Sequence, residues 1–252
     1  MTSGPTSARH VVDAAAAAAD LSALDAVVPT CRACPRLVAW RELVGVEKRA
    51  AFRDETYWAR PVPGFGDPDA SVLVVGLAPA AHGANRTGRM FTGDRSGDFL
   101  FAAMHRTGFA SQATSTSRDD GLTLTDIRVT APVRCAPPGN APTPLERRTC
   151  GPFLGRELAL VRPRVIVVLG GFGWQALLTT LAEQGWAVPR PRPPFGHGAE
   201  LVLAGPDGAE LVLLGCFHVS QQNTFTGRLT PDMLDAILLR ARTYLPVPDA
   251  SL

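Results

Sequence analysis

Four consecutive apolar residues, Val72-Leu73-Val74-Val75, constrain the fold of this chain more than any other feature. They neither alternate with polar residues nor recur at helical spacing, so they describe a short strand covered on both faces, as in a parallel sheet sheathed by helices. The run breaks at Gly76 into a polar segment reaching Asp94, which carries His82, Asn85, Arg86, Thr87, Arg89 and Thr92, with Gly83, Gly88 and Gly93 between them. In open α/β sheets, ligands bind beyond the carboxyl ends of the strands, where this break lies. Arginines suit phosphates, and Asp94 can orient a water or a base. A solvated loop with turn glycines accounts for the segment equally well. A second apolar strand, Glu210 to Gly215, ends in the polar run Cys216 to Gly227, which carries His218. Two such strands in one parallel sheet send both tails to one edge, so that His82, Asp94 and His218 converge there.

The remaining pattern alternates strands and helices. Helices are expected over Pro35 to Arg49, Gly97 to Thr107 behind a Ser96 cap, Pro144 to Val161 behind Thr143, Trp174 to Glu183, and Pro231 to Leu245 behind Thr230. Strands are expected over Leu122 to Thr130 and Val165 to Leu169, with a hairpin turn at Pro206-Asp207-Gly208. Gly170 to Gly173 reads as a close strand-to-helix packing turn, since no Walker-type lysine accompanies it. Trp186 to Gly198, dense in proline and arginine, reads as a rigid loop that grips a backbone, with His197 a turn residue. The pattern implies an α/β fold: a three-layer α/β/α sandwich around a central, mostly parallel sheet. At 252 residues one domain is the economical reading, with residues 1 to 10 disordered and an amphipathic or frayed helix within Val11 to Val28.

Charge excludes a polycation. The net charge is only +2, so nucleic-acid binding would rest on local patches, and Lys48 is the only lysine. The Ala-rich start contains Asp13, Asp20 and Asp25 and has no cationic lead-in, so no signal segment or membrane span is expected and the protein is placed in the cytoplasm. Thiols are reduced there, which argues against a disulfide framework. Cys31 and Cys34 form a CxxC, with Cys135 and Cys150 far downstream. That foursome is compatible with redox activity, zinc or an iron-sulfur centre, and spacing does not choose among them. Cys216, ending an apolar strand, reads as a buried small hydrophobe.

The segments GLAPAAHGANRTGRMFTGD, ending at Asp94, and HVSQQNTFTG, beginning at His218, closely resemble the two signature motifs of the family 5 (type B) uracil-DNA glycosylases. The resemblance implies a monofunctional glycosylase that flips a base out of DNA and hydrolyses its N-glycosidic bond, initiating base excision repair. It implies a [4Fe-4S] cluster on Cys31, Cys34, Cys135 and Cys150. Base excision passes through an oxocarbenium-like sugar while negative charge gathers on the departing base. Asp94 is therefore the candidate for holding water or stabilising the cation, and His218 for donating to the base oxygen. Gly76, Leu77, Ala78, His82, Phe91 and Asn140 are the candidate substrate contacts, with core packing an equal reading for Phe91 and a turn for Asn140. Asn85, Arg86, Arg89, Gln221, Gln222, Asn223 and Arg228 are the candidate DNA contacts.

Three positions depart from related families. Ala78 stands where several relatives carry a water-activating Asp or Asn, Ala131 where many carry a base-pairing Asn, and Val219 where many have proline. Loss of the amide weakens discrimination by hydrogen bonding, so the expected range includes uracil, hypoxanthine, xanthine and ethenocytosine. The competing expectations are a lesion-binding protein that lost turnover and a CxxC redox protein. The partner is lesion-containing DNA, double- or single-stranded, met by a nucleoid-associated monomer.

Overall fold

A computed structural model describes residues 4–245. The strands are β1 (Phe65–Gly66), β2 (Val72–Val75), β3 (Ile127–Thr130), β4 (Val165–Leu169), β5 (Glu200–Ala204) and β6 (Glu210–Cys216). They form one six-stranded sheet in the order β1-β3-β2-β4-β6-β5. β3, β2, β4 and β6 run parallel, with Val74 opposite Val129 and Val167, and the edge strands β1 and β5 run antiparallel to their neighbours. The unbroken apolar runs thus occupy the positions that physics requires, covered from above and below.

Successive side chains on each strand point to opposite faces, and each face has its own helices. Val72, Val74, Ile127, Val129, Val165 and Val167 meet Leu100 and Met104 of α5 (Arg95–Arg106) and Leu234 and Leu238 of α9 (Pro231–Arg242). Leu73, Val75, Ile166 and Val168 meet Leu154 and Leu158 of α6 (Pro144–Val161) and Leu177 and Leu181 of α7 (Gly171–Glu183). Each such side chain taken fully out of water contributes about 1.5–3 kcal/mol. The layering is therefore α/β/α. Because α5 leaves β2 over one face and α7 leaves β4 over the other, the crevice between these two neighbours is a topological switch point, where ligands enter.

α6 has the expected bounds and a complete capping box between Thr143 and Glu146, and it runs unbroken through Pro152. Other boundaries moved. The ladder of β3 begins at Ile127 rather than Leu122, because Leu124 makes only an isolated bridge to Ala110. α9 stops at Arg242, short of Leu245. The expected disorder over residues 1 to 10 is not found in the described part. Arg32 N–H donates to the Pro5 carbonyl at 2.7 Å, Ser7 caps α1 (Ala8–Ala17), and Asp20 caps α2 (Leu21–Val27). Residues 1–3 lie outside the described range.

α1 and α2 pack against Phe153 on the outer side of α6. A buried charge network fastens them to the sheet: Arg128 donates to Asp25 and to Glu157 at 2.7 Å each, Thr130 donates to Glu157 at 2.6 Å, and Arg134 pairs with the same carboxylate. The two arginines hold Glu157 near the bottom of the carboxylate range, at about 2, against a burial that would raise it.

Candidate active site

A cavity of ≈ 430 Å³ opens at the switch point, walled by the tails of β2, β3 and β6. Leu77 and Ala78 from the first tail, Ala131 from the second and His218 from the third all line it, together with Phe91, Asp94, Asn140 and Gln222. Asp94 and His218, separated by more than a hundred residues of chain, therefore face one space.

Local structure explains how each is held. Asp94, rather than Ser96, is the N-cap of α5, and its Oδ1 accepts the Gly97 N–H at 3.0 Å. Burial raises the Asp94 pKa, while the backbone N–H groups of Gly97 and Ser96 and the positive end of the helix oppose that rise. Oδ2 lies against Gly83, where a Cβ would collide with it. Gly83→Ala is accordingly expected to push the carboxylate aside and slow excision by about tenfold or more while DNA affinity stays within about twofold. Single-turnover rates measured beside a binding titration check this.

His218 leaves β6 with its Cβ packed over Gly170, and its carbonyl accepts Asn223 Nδ2 at 2.8 Å. Burial depresses its pKa to about 4, so the ring is neutral at neutral pH and offers an N–H without carrying charge. The ring of Phe91 lies 6.3 Å from that of His218, tilted by 37°, and Phe91 itself holds a strained φ of 51°. Gly76 does not line the cavity. It lies beneath Phe91, a Cβ there would come 2.7 Å from Phe91 Cζ, and its N–H donates to Thr130 O.

Several residues expected to touch substrate or DNA serve the interior instead. His82 is outside the cavity lining, its Nδ1 3.0 Å from the Tyr57 hydroxyl. Asn85 is fully buried and donates to the Arg41 carbonyl at 3.3 Å. Arg86 is buried, donating to His82 O at 2.8 Å and Gly93 O at 2.7 Å, paired with Glu55 and stacked on Phe52. Arg89 grips Asp120 with both Nη atoms, at 2.8 and 2.7 Å, above the Phe65 ring. These three build the loop that carries Phe91 and Asp94: both guanidiniums are committed to internal partners, and Asn85 is buried with its Oδ1 unpartnered among the described residues, so the structure places none of the three on a surface that DNA could reach. Asn223 is likewise committed to the His218 carbonyl. Gln221, Gln222 and Arg228 are exposed, with Arg228 stacked 4.6 Å from the Phe217 centroid. Asn140 is both a turn residue, with φ 55°, and a cavity wall.

Pro79, Met90, Ser96 and Ser220 also line the cavity, and the sequence reading missed them. Pro79 and Met90 lie within the first motif, Ser220 within the second and Ser96 two residues past the first, and that placement was the only signal.

On the far side of Ala78, Cys31, Cys34, Cys135 and Cys150 line one narrow cavity. Arg41 Nη1 donates to Cys135 Sγ at 2.9 Å, and Arg134 N–H donates to Cys150 Sγ at 3.3 Å. Burial pushes all four thiols up, Cys34 to about 12 and Cys135 to about 11. Among the described residues, no three or more His, Cys, Asp or Glu side chains are drawn together as for a single metal ion. No described helix is long and apolar enough to cross a membrane.

Comparison with known proteins agrees with this geometry. Residues 63–242 match the Uracil DNA glycosylase superfamily. A type-5 uracil-DNA glycosylase of Mycobacterium leprae is 56% identical over 227 residues, covering 89% of this chain and 96% of that protein. One from Mycobacterium bovis is 56% identical over 230 residues, covering 90% and 83%. One from Thermus thermophilus is 50% identical over 224 residues, covering 88% and 97%. With the switch-point cavity, the motifs on its walls and these relatives in agreement, the chain belongs to the uracil-DNA glycosylase superfamily, among its type-5 members.

Proposed function

We propose that this uracil-DNA glycosylase is monofunctional and hydrolyses the bond between the sugar and a base swung into the switch-point cavity. The observation that carries the proposal is that Asp94 and a neutral His218 line the same ≈ 430 Å³ cavity, which has room for a base and its sugar. As the C1′–N bond breaks, its electron pair moves onto the base, and the His218 N–H stabilises the oxygen where charge gathers. Asp94 stabilises the cationic sugar and orients the water whose oxygen bonds to C1′; the proton that this water sheds passes by way of the Asp94 carboxylate to solvent, and the base anion takes one up, leaving a sugar hydroxyl and a neutral base. Phe91 stacks on the base. Lys48, the only lysine, is not among the cavity residues and donates its Nζ to Arg53 O at 3.1 Å, which argues against a Schiff-base lyase step.

Ala78 and Ala131 give the wall no side-chain hydrogen-bond partner for a particular base edge, so hypoxanthine, xanthine and ethenocytosine are accepted beside uracil. Gln221, Gln222 and Arg228, exposed at the cavity rim and beyond it, meet the DNA, and the enzyme acts as a cytoplasmic monomer that initiates base excision repair. Duplexes and single strands carrying one lesion each, treated with the protein and then with alkali, test this reading. Scission at uracil and at further lesions is expected; tight binding with no scission would instead indicate a lesion-binding protein.

Cys31, Cys34, Cys135 and Cys150 would hold a [4Fe-4S] cluster. Arg41 Nε and Arg134 Nε are buried without a hydrogen-bond partner among the described residues, and both residues line the thiol cavity. Bridging sulfides offer acceptors to such donors, whereas a lone zinc ion among four thiolates brings none of its own. Bound there, it would join the segment around α3 (Pro35–Glu47), through Cys31 and Cys34, to the tail of β3 at Cys135 and to α6 at Cys150.

The two ionisable groups give the reaction a one-sided pH dependence. Lowering His218 to about 4 keeps its ring neutral well into the acid range, whereas raising Asp94 brings protonation of the carboxylate closer to neutrality. Acid protonates both, removing the negative charge and adding a positive one. Single-turnover excision is expected to be level at neutral and mildly alkaline pH and to fall on acidification, first as Asp94 protonates above the ordinary carboxylate range and further near pH 4 as the His218 ring takes up its charge. Asp94→Asn should be slow at every pH and lose most of that acid limb.

A further inference from the structure

We propose that His197 is a positioning residue for base excision: its Nδ1 takes the Phe217 backbone N–H and so fixes the point at which His218 leaves the sheet. The inference rests on the reading of His218 as the donor to the departing base.

Phe217 is the first residue past β6, where the sheet's hydrogen bonds run out. Cys216 O is still bonded, by Gly170 N–H at 2.8 Å, but the Phe217 N–H has no backbone acceptor among the described residues. His197 Nδ1 receives it at 3.2 Å, and the two rings stack with centroids 5.1 Å apart at 28°. Since the backbone nitrogen is the donor, Nδ1 must carry no proton, which places any proton of the neutral ring on Nε2. Burial lowers the His197 pKa and keeps this acceptor free at neutral pH.

His197 is itself held. Gly198 N–H donates to Gly215 O, and Gly215 N–H to Ala199 O, at 2.8 Å each, so the residues beside the imidazole pair with β6. Earlier in the same loop, Pro193 O accepts Trp174 Nε1 at 3.0 Å, and the Phe195 ring lies 6.1 Å from Trp174 and 6.4 Å from Phe217. The proline-dense segment from Trp186 to Gly198 thus links α7 to the end of β6. Its role is to brace His218, which corrects the expectation that His197 is only a turn residue. A ring that must reach a base oxygen within hydrogen-bond distance tolerates little drift, and a shift of about 1 Å at a catalytic group can cost on the order of a hundredfold.

Two substitutions separate the acceptor from the ring. His197→Phe keeps the stacking surface and removes the acceptor, whereas His197→Asn keeps an acceptor oxygen near the Nδ1 position and removes the ring. Single-turnover excision of uracil is expected to slow by roughly ten- to a hundredfold in His197→Phe, with DNA affinity within about twofold, and to stay within about threefold of the parent in His197→Asn. Thermal midpoints of both are read alongside. The proposal is overturned if His197→Phe excises at the parent rate, if His197→Asn is the slower of the two, or if the loss falls in DNA affinity. His218→Ala run in parallel keeps the premise distinct: if that change leaves excision intact, the assignment of His218 fails, whatever the His197 variants do.

Discussion

Replacing His218 with alanine is expected to slow single-turnover excision of uracil by about 10²–10³-fold, the cost of removing one donor aimed at developing negative charge. The magnitude follows from the setting. The ring is partly buried, carries no charge at neutral pH, and is held from behind by Gly170 and through its carbonyl by Asn223, so little reorganisation is required as charge moves onto the base. Affinity for uracil-containing DNA should fall by no more than about threefold, because the interaction strengthens only in the transition state. Asp94→Ala should be comparably slow, and the double variant should lose less than the product of the two single losses, since both groups act on one bond-breaking event. Parent-like excision in both single variants would remove the catalytic assignment. Excision in burst and single-turnover mode, with affinity measured by fluorescence anisotropy, makes the distinction.

The second large effect concerns the thiols. Cys135→Ser is expected to strip iron from the purified protein, abolish its visible absorption, and lower the thermal midpoint by on the order of 10 °C or more. Cys135 is buried beside Leu37 and Val133, and Arg41 donates to its sulfur from the middle of α3. Without a cluster, the guanidinium of Arg41 retains a bond to Cys31 O at 3.1 Å but leaves its Nε unmet, a buried donor costing about 1–3 kcal/mol. Detachment should be local. α1 and α2 keep Phe153, the Asp25–Arg128 pair and the bonds from Arg156 to Ala18 O at 2.8 and 2.7 Å. α3 buries Leu37, Val38 and Val44, but its first turn depends on Arg36 with Glu146 and on the thiols beside Leu37. Hydrogen exchange should therefore accelerate in residues 31–47 well before α1. Parent protein free of iron and sulfide, or Cys135→Ser protein with an unchanged midpoint, would end the cluster reading.

Much of this molecule was legible in the order of its residues. Uninterrupted apolar runs at Val72 and Val165 can be satisfied only between two layers of helices, and the polar tails that follow them can only lie at the sheet's carboxyl edge. Thr143 with Glu146 marked the start of α6, because a capping box is a local device that needs no distant partner. Where two capping residues stood two apart, as Asp94 and Ser96 do, local chemistry could not choose. The choice fell to Asp94 because Gly83 leaves room for its carboxylate.

What the chain order left open was the destination of its polar groups. Arg86 and Arg89 carry the charge and the motif position of phosphate ligands, yet Glu55 and Asp120 claim them, and both carboxylates arrive by folds of the chain with no local signature. His197 looked like a turn residue for the same reason, since its partner lies twenty residues on, at the end of another strand. Periodicity and capping act over a few residues, so they can be read along the chain. The pairing of a charge or an acceptor is settled by whichever long-range contact desolvates it, and only the packed sheet with its crossing loops decides that.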